Sequence, residues 1–344
     1  MLFQQLFDQT SSTYTYVLAR RPEAEALIID PVYEHVETYL ELFRRLDLRL
    51  VKAIDTHTHA DHVTGMGQLR DETRCITVMG ENSNAEVVSM RVEEGETVDI
   101  DGVSMDVLFT PGHTDDSYSF ALDDRVFTGD ALLIGGTGRT DFQNGDAHAA
   151  YDSLFNKLLK LPDRTLVYPA HDYNGNTATT IGTEKAINPR LQVDSPEEYA
   201  EIMANLDLGD PSMMDVAVPA NESVGSEIDE RLPAEAQLDP SDLVDNGATD
   251  EFLLFDLRED KERNRDGLIP GSIHVPYTEL ESNLQEGTYL HEKLADTPND
   301  VVFYCAFGER SALALEAAQE KGFEGAKHLR GGVAAWLRAG GEVA

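Results

Sequence analysis

Short apolar runs separated by polar loops fill the first two hundred residues: TYVLA, ALIID, LRLVKAI, CITVMG, MDVLFT, RVFTGD and TLVYPA. Their length and β-branched content predict buried strands. Two stretches between them, YEHVETYLELFRRLDL and AAYDSLFNKLLKL, repeat their apolar positions every three to four residues and predict helices. Sheets layered with helices, an α/β architecture, are the expected outcome.

The pattern stops near residue 222. From 223 to 247 the chain is acidic, contains prolines and is poor in large apolar residues, which predicts a linker. A second α/β alternation follows, with strands FLLFDLR and VVFYCA and the helix SALALEAAQEKGF. Two domains are therefore expected, over 1–222 and 248–344, and a chain of 344 residues is long enough for a core in each.

Charge narrows the partners. The 64 acidic and 27 basic residues leave a formal charge of −37, a surface that repels nucleic acid and anionic membranes and suits a salt-rich, halophilic setting. No apolar run approaches the roughly 18 residues of a membrane span. The start MLFQQLFDQTSS lacks a basic segment before an apolar one, so a cytoplasmic protein is expected. The two cysteines, Cys75 and Cys305, exclude a disulfide framework. Cys75, inside a predicted strand, reads as structural.

The candidate chemistry lies at strand exits. THTHADHVTG, after LRLVKAI, carries His57, His59, Asp61 and His62; His113 follows MDVLFT, Asp130 follows RVF and His171 follows TLVY. Residues at strand ends can converge on one sheet edge. Imidazole with carboxylate suits zinc, iron or manganese better than calcium or magnesium. All seven can hold two zinc ions around a hydroxide and hydrolyse an ester. A subset of two histidines and one carboxylate can instead hold ferrous iron with positions open for O₂ and substrate.

THTHADH, TPGHT, FTGD and PAHDY, in that order, resemble the metallo-β-lactamase superfamily. FTGDALLIGGTGRTDFQ, YPAHDYNG, INPRL and AVPAN narrow the resemblance to the persulfide dioxygenase family, over the first residues to about Asn221. That resemblance implies an αββα sandwich and one Fe(II) per chain held by His57, His113 and Asp130. His59, Asp61, His62 and His171 become pocket residues that orient the ligands, and Tyr173, Arg190 and Arg139 substrate-binding candidates, with Arg139 the more structural of the two arginines. It implies oxidation of a thiol persulfide, such as glutathione persulfide, by O₂ to sulfite. A homodimer through the amino-terminal domain is compatible with it. Thr137 stands where many relatives carry cysteine, a change expected to matter little because that cysteine is not an iron ligand.

Cys305 ends a predicted strand and precedes a helix, where loop amides and the positive helix end stabilise a thiolate. CAFGERS resembles the rhodanese active loop, supported by FDLRED, GLIPGSIHVP and LRGGVAAWLRAGG over about 248–344, which implies an α/β domain with a parallel sheet. The resemblance implies that Cys305 carries a persulfide cradled by Ala306, Phe307, Gly308, Glu309, Arg310 and Ser311, with Arg310 holding thiosulfate or sulfite and Asp256 and Arg258 supporting the loop. Glu309 opposes an anion there unless it points outward. A dioxygenase–sulfurtransferase fusion is the expected function. The alternatives are a dizinc thioester hydrolase with a sulfurtransferase tail and a non-catalytic sulfur carrier.

Overall fold

The structure, a computed structural model, describes residues 1–86, 88–206, 208–209, 213–224, 232–246, 252–297 and 300–344. The chain divides into two compact units: Met1–Ala85 with Met90–Val224, and Gly225–Ala344 with Glu86–Ser89.

In the first unit, six strands form one sheet in chain order: β1 (Leu2–Asp8), β2 (Thr13–Ala19), β3 (Glu25–Ile29), β4 (Arg49–Ile54), β5 (Ile76–Gly80) and β6 (Met90–Val92). β1 to β3 pair antiparallel and β3 to β6 parallel. β2 is buried at all seven positions because both of its faces are covered. That is why it reads as a continuous apolar run and not as an alternation.

The second sheet holds β7 (Thr97–Ile100), β8 (Val103–Phe109), β9 (Tyr118–Ala121), β10 (Arg125–Gly129), β11 (Leu166–Pro169) and β12 (Thr179–Thr180). Aromatic rings join the two sheets: Phe3 lies 4.9 Å from Tyr168, and Tyr16 lies 4.9 Å from Phe127. Helix Val36–Leu46 buries Val36, Tyr39, Leu42 and Phe43, and its Tyr39 hydroxyl meets the Thr15 hydroxyl of β2 at 2.9 Å. Beyond the second sheet, Leu154, Leu158, Ile181, Tyr199 and Met203 pack on Val126 and Val167. Helices thus flank two face-to-face sheets. The predicted helix AAYDSLFNKLLKL is α-helical over Ala147–Asp152 and then continues as a π-turn, Ser153–Lys157, and a 3₁₀ turn, Leu158–Lys160.

The second unit is a parallel sheet of five strands among the described residues. Its order is β13 (Gln237–Leu238), β17 (Lys327–Leu329), β16 (Val301–Tyr304), β14 (Leu253–Asp256), β15 (Ile273–His274). Leu243, Ile269, Val333 and Trp336 pack with Leu254, Val302 and Leu329 of this sheet. The linker expected over 223–247 is corrected here. Residues 225–231 and 247 lie outside the described residues, but Leu238 pairs with Leu329 and Leu243 is buried in the core. A two-residue strand and a seven-residue helix carry too few apolar positions for their periodicity to stand out from an acidic background.

Candidate metal centre and cysteine loop

Four strand ends build the candidate metal centre. His57 follows β4, His113 follows β8, Asp130 follows β10 and His171 follows β11. One ligand atom each from His57, His113 and Asp130 lies within 4.8 Å of the others. His113 Nε2 is 3.5 Å from Asp130 Oδ2, and the His57 and His113 rings are 5.0 Å apart.

Neighbours select the nitrogens. His113 Nδ1 donates to the Arg139 carbonyl at 2.8 Å. The Thr56 hydroxyl donates to Asp30 Oδ2 at 3.1 Å and so accepts from His57 Nδ1 at 3.0 Å. Both rings then turn Nε2 toward a ligand, as metal-bound histidines do. Burial, with His59 and His113 beside it, holds the His57 ring well below its usual range, so it stays neutral. Burial opposes ionisation of Asp130, yet the His171 charge and hydrogen bond, with His113 and His57, pull its carboxyl well below the usual range. Two neutral imidazoles and an ionised carboxylate fit a divalent transition metal.

His171 sits between two carboxylates, with Nδ1 2.7 Å from Asp130 Oδ1 and Nε2 2.8 Å from Asp61 Oδ2. Those two partners lift it well above its usual range against the opposing effect of burial. His59 Nε2 lies 3.1 Å from Asp30 Oδ1. His59 Nδ1 and His62 Nε2 are buried without a hydrogen-bond partner among the described residues, and one ligand atom each from His59, Asp61 and His62 lies within 4.8 Å of the others.

His113, Asp130 and His171 line a cavity of ≈ 520 Å³, together with Tyr173, Arg139 and Arg190. Arg190 donates to the Thr137 carbonyl and has no carboxylate partner among the described residues. Arg139, by contrast, pairs with Asp141 at 2.7 and 2.8 Å and lies over the Phe142 ring. Tyr173 is 71% exposed at the cavity wall, its ring parallel to that of His171. Thr137 is buried, its hydroxyl 2.9 Å from that of Tyr199. Gly138 allows close approach: a Cβ there would fall 2.8 Å from the His113 ring.

Thr56, Asp30, Thr13 and Asn221 are parts of the site that the motifs do not flag by role. Asn221 closes AVPAN and donates to the His59 and His62 carbonyls at 2.9 and 3.0 Å, pinning the histidine loop. Its place at the end of a recognised motif was the one signal available.

In the second unit Cys305 leaves β16 and helix Glu309–Glu320 begins four residues later. The Gly308 amide donates to Cys305 Sγ at 3.2 Å, and the Ser311 hydroxyl lies 3.8 Å from it. The backbone of helix Gly332–Arg338 braces the loop, Val333 donating to the Cys305 carbonyl at 2.8 Å and Ala334 to that of Ala306 at 3.1 Å. A Cβ on Gly332, whose φ is +58°, would meet the Cys305 carbonyl at 2.3 Å. Ala306 and Ser311 are buried and Phe307 is partly buried.

Arg310 does not take the expected place as an anion holder. Its side chain is buried and both terminal nitrogens donate to Glu262, because a buried guanidinium needs a carboxylate closer to hand than any transient anion. Glu309 is buried rather than turned outward, its carboxylate accepting from Ser89 of this unit. Asp256 and Arg258 form a buried pair at 2.8 Å, and the Tyr304 hydroxyl donates to Asp256 at 2.8 Å.

Sequence comparison separates the two halves. Residues 9–171 match the model of the metallo-beta-lactamase superfamily, and residues 239–339 match that of the rhodanese-like domain. The human protein "Persulfide dioxygenase ETHE1, mitochondrial" is 43% identical over 228 residues, which span 65% of this chain and 89% of that protein. The chain belongs to the persulfide dioxygenase family. The structure of ETHE1 from Myxococcus xanthus is 51% identical and covers 65% of this chain and 99% of that one, with a TM-score of 0.63. A metallo-beta-lactamase structure from Staphylococcus aureus is 21% identical yet covers 96% of this chain and 98% of that one, with a TM-score of 0.60, a likeness of fold. This persulfide dioxygenase homologue therefore joins a metallo-β-lactamase fold to a rhodanese domain with a parallel sheet. No helix among its described residues is long and apolar enough to cross a membrane.

Proposed function

We propose that the chain oxidises a thiol persulfide with O₂ to sulfite and thiol at one ferrous ion held by His57, His113 and Asp130, and that Cys305 transfers sulfane sulfur. The observation that carries the reading is the convergence of those two imidazoles and one carboxylate beside a cavity in which Arg190 has no carboxylate partner among the described residues.

Bound iron supplies a place where O₂ and a sulfur ligand meet. The residues around it do the rest. Arg190 attracts a carboxylate of a thiol such as glutathione. Thr56 and the Arg139 carbonyl hold the two rings in one tautomer. His171 keeps Asp130 ionised and oriented. In the second unit, with the Gly308 amide 3.2 Å from its Sγ, Cys305 attacks the outer sulfur of a second thiol persulfide, whose S–S bond breaks as the thiol leaves. The Cys305 persulfide gives its outer sulfur to sulfite: the S–S bond breaks, thiosulfate forms and the cysteine returns to thiol. Arg310 acts here by holding the start of the helix to Glu262.

The unpartnered His59 Nδ1 and His62 Nε2 favour a second reading, a dizinc thioester hydrolase. Metal analysis with O₂ uptake separates the two. One iron per chain with persulfide-dependent O₂ uptake supports the dioxygenase, and two zincs with thioester cleavage overturn it. Cys305→Ser should abolish sulfur transfer and spare O₂ uptake, and His113→Ala should do the reverse. Loss of both activities in either folded variant would sink the two-site assignment.

A further inference from the structure

The hairpin between β1 and β2 places a row of hydroxyl and carboxyl groups against the rim of the metal site. The Thr13 hydroxyl lies 3.1 Å from His171 Nε2. It lies 2.6 Å from the Ser11 hydroxyl, which donates to Asp8 Oδ2 at 2.7 Å. Asp8 Oδ1 then lies 2.9 Å from His35 Nε2. Thr13 is buried, while the His35 side chain is 38% exposed. Every link is within hydrogen-bond distance.

The two ends open into different spaces. Ser11 lines the ≈ 520 Å³ cavity of the metal site, whereas His35 lines a separate cavity of ≈ 670 Å³ with Phe7 and Tyr39, and the two cavities share no lining residue. Because Ser11 donates to Asp8, its oxygen is left to accept from Thr13, whose hydroxyl can swing to it from Asp61 Oδ2, the 3.1 Å acceptor on the site side.

We propose that Thr13, Ser11, Asp8 and His35 form a proton exit from the metal site to solvent, used while substrate fills the cavity mouth. The proposal rests on the dioxygenase reading, in which RSS⁻ + O₂ + H₂O gives RSH + SO₃²⁻ + H⁺. The S–S bond of the persulfide breaks, its outer sulfur is oxidised as O₂ is reduced, and one proton must leave per turnover. As a proton reaches Thr13, the Thr13 O–H proton passes to Ser11 and that of Ser11 to the Asp8 carboxylate. His35 takes the proton from the carboxyl group and exchanges it with water. Asp8 holds the proton only in passing: burial disfavours its charge, but the bonds from Ser11 and His35 bring its carboxyl down to about 2. These are relay residues: Ser11 borders the cavity, and Thr13, Asp8 and His35 do not line it.

The test uses the full-length, metal-loaded chain at saturating glutathione persulfide in weak buffer. Ser11→Ala and His35→Ala should each lower kcat by on the order of ten- to a hundredfold, with KM and metal content unchanged. Added imidazole, which can occupy the cavity left beside Asp8, should restore His35→Ala and leave Ser11→Ala low, because the latter break lies inside the row. Wild-type kcat in either variant, or a His35→Ala deficit that imidazole does not lift, overturns the relay. Thioester hydrolysis also releases a proton, so the same variants are read on that rate if the wild type cleaves thioester and takes up no O₂. That result removes the dioxygenase reading and still decides the relay, and a wild type with neither activity removes both.

Discussion

His113 donates its Nδ1 proton to the carbonyl oxygen of Arg139 across 2.8 Å, which leaves Nε2 as the nitrogen facing Asp130. A residue 26 positions away thus sets the tautomer of a candidate metal ligand through its backbone, while its own side chain is committed to Asp141. The same logic runs through the centre, where each donor atom is chosen by a neighbour outside the ligand set.

Thr56→Val keeps the side-chain shape and removes the hydroxyl that meets His57 Nδ1 and Asp30. Metal affinity should fall by roughly 10- to 100-fold. Competition against a chelator measures it, and unchanged affinity would show that His57 is oriented by something else.

Arg190 offers the cavity a cation with no carboxylate partner among the described residues. Arg190→Ala should raise KM for glutathione persulfide about tenfold with a smaller change in kcat, the pattern for lost ground-state binding. A persulfide without carboxylates should show little difference between the two enzymes. Equal KM changes for both compounds would remove Arg190 as a carboxylate contact.

Arg310 and Glu262 are both fully buried. Arg310→Met alone leaves a buried carboxylate unpaired and should destabilise the second unit by about 3–5 kcal/mol. The double variant Arg310→Met, Glu262→Leu should recover most of that loss in a denaturant titration. Additive losses would show that the two side chains do not act as a pair.

His328, on β17, is brought down to about 4 by burial and then by Arg330. Its ordinary value is near 6.5, so between the two the unfolded chain binds the proton and the folded chain does not. Its contribution is complete above pH 6.5 and is lost as pH falls through 4, amounting to about 3 kcal/mol. Comparing urea midpoints of wild type and His328→Asn at pH 7 and pH 4.5 isolates it. The wild type should lose more stability on acidification than the variant does.

Much of the fold could be read from local pattern. TYVLA lies in β2, LRLVKAI in β4 and RVF in β10, because strands buried on both faces are continuous apolar runs. The edge strands were harder. β1, of which only Asp8 is buried, and β12, with two residues, carry a weak signal, and β13 was lost in an acidic stretch.

The sequence by itself determined the kinds of donor and their places at strand exits, and its motif order identified both halves. Those are local properties, since a donor's chemistry and a strand's end need only a few neighbouring residues. The tertiary structure decided which nitrogen of His57 and His113 is presented, that Asn221 ties down the loop from 159 residues beyond His62, and that Arg310 belongs to Glu262 instead of to an anion. Each of these is a hydrogen bond or ion pair whose partner is chosen by proximity in the folded chain. No spacing along the sequence encodes that proximity, because it exists only once the sheets have brought their ends together.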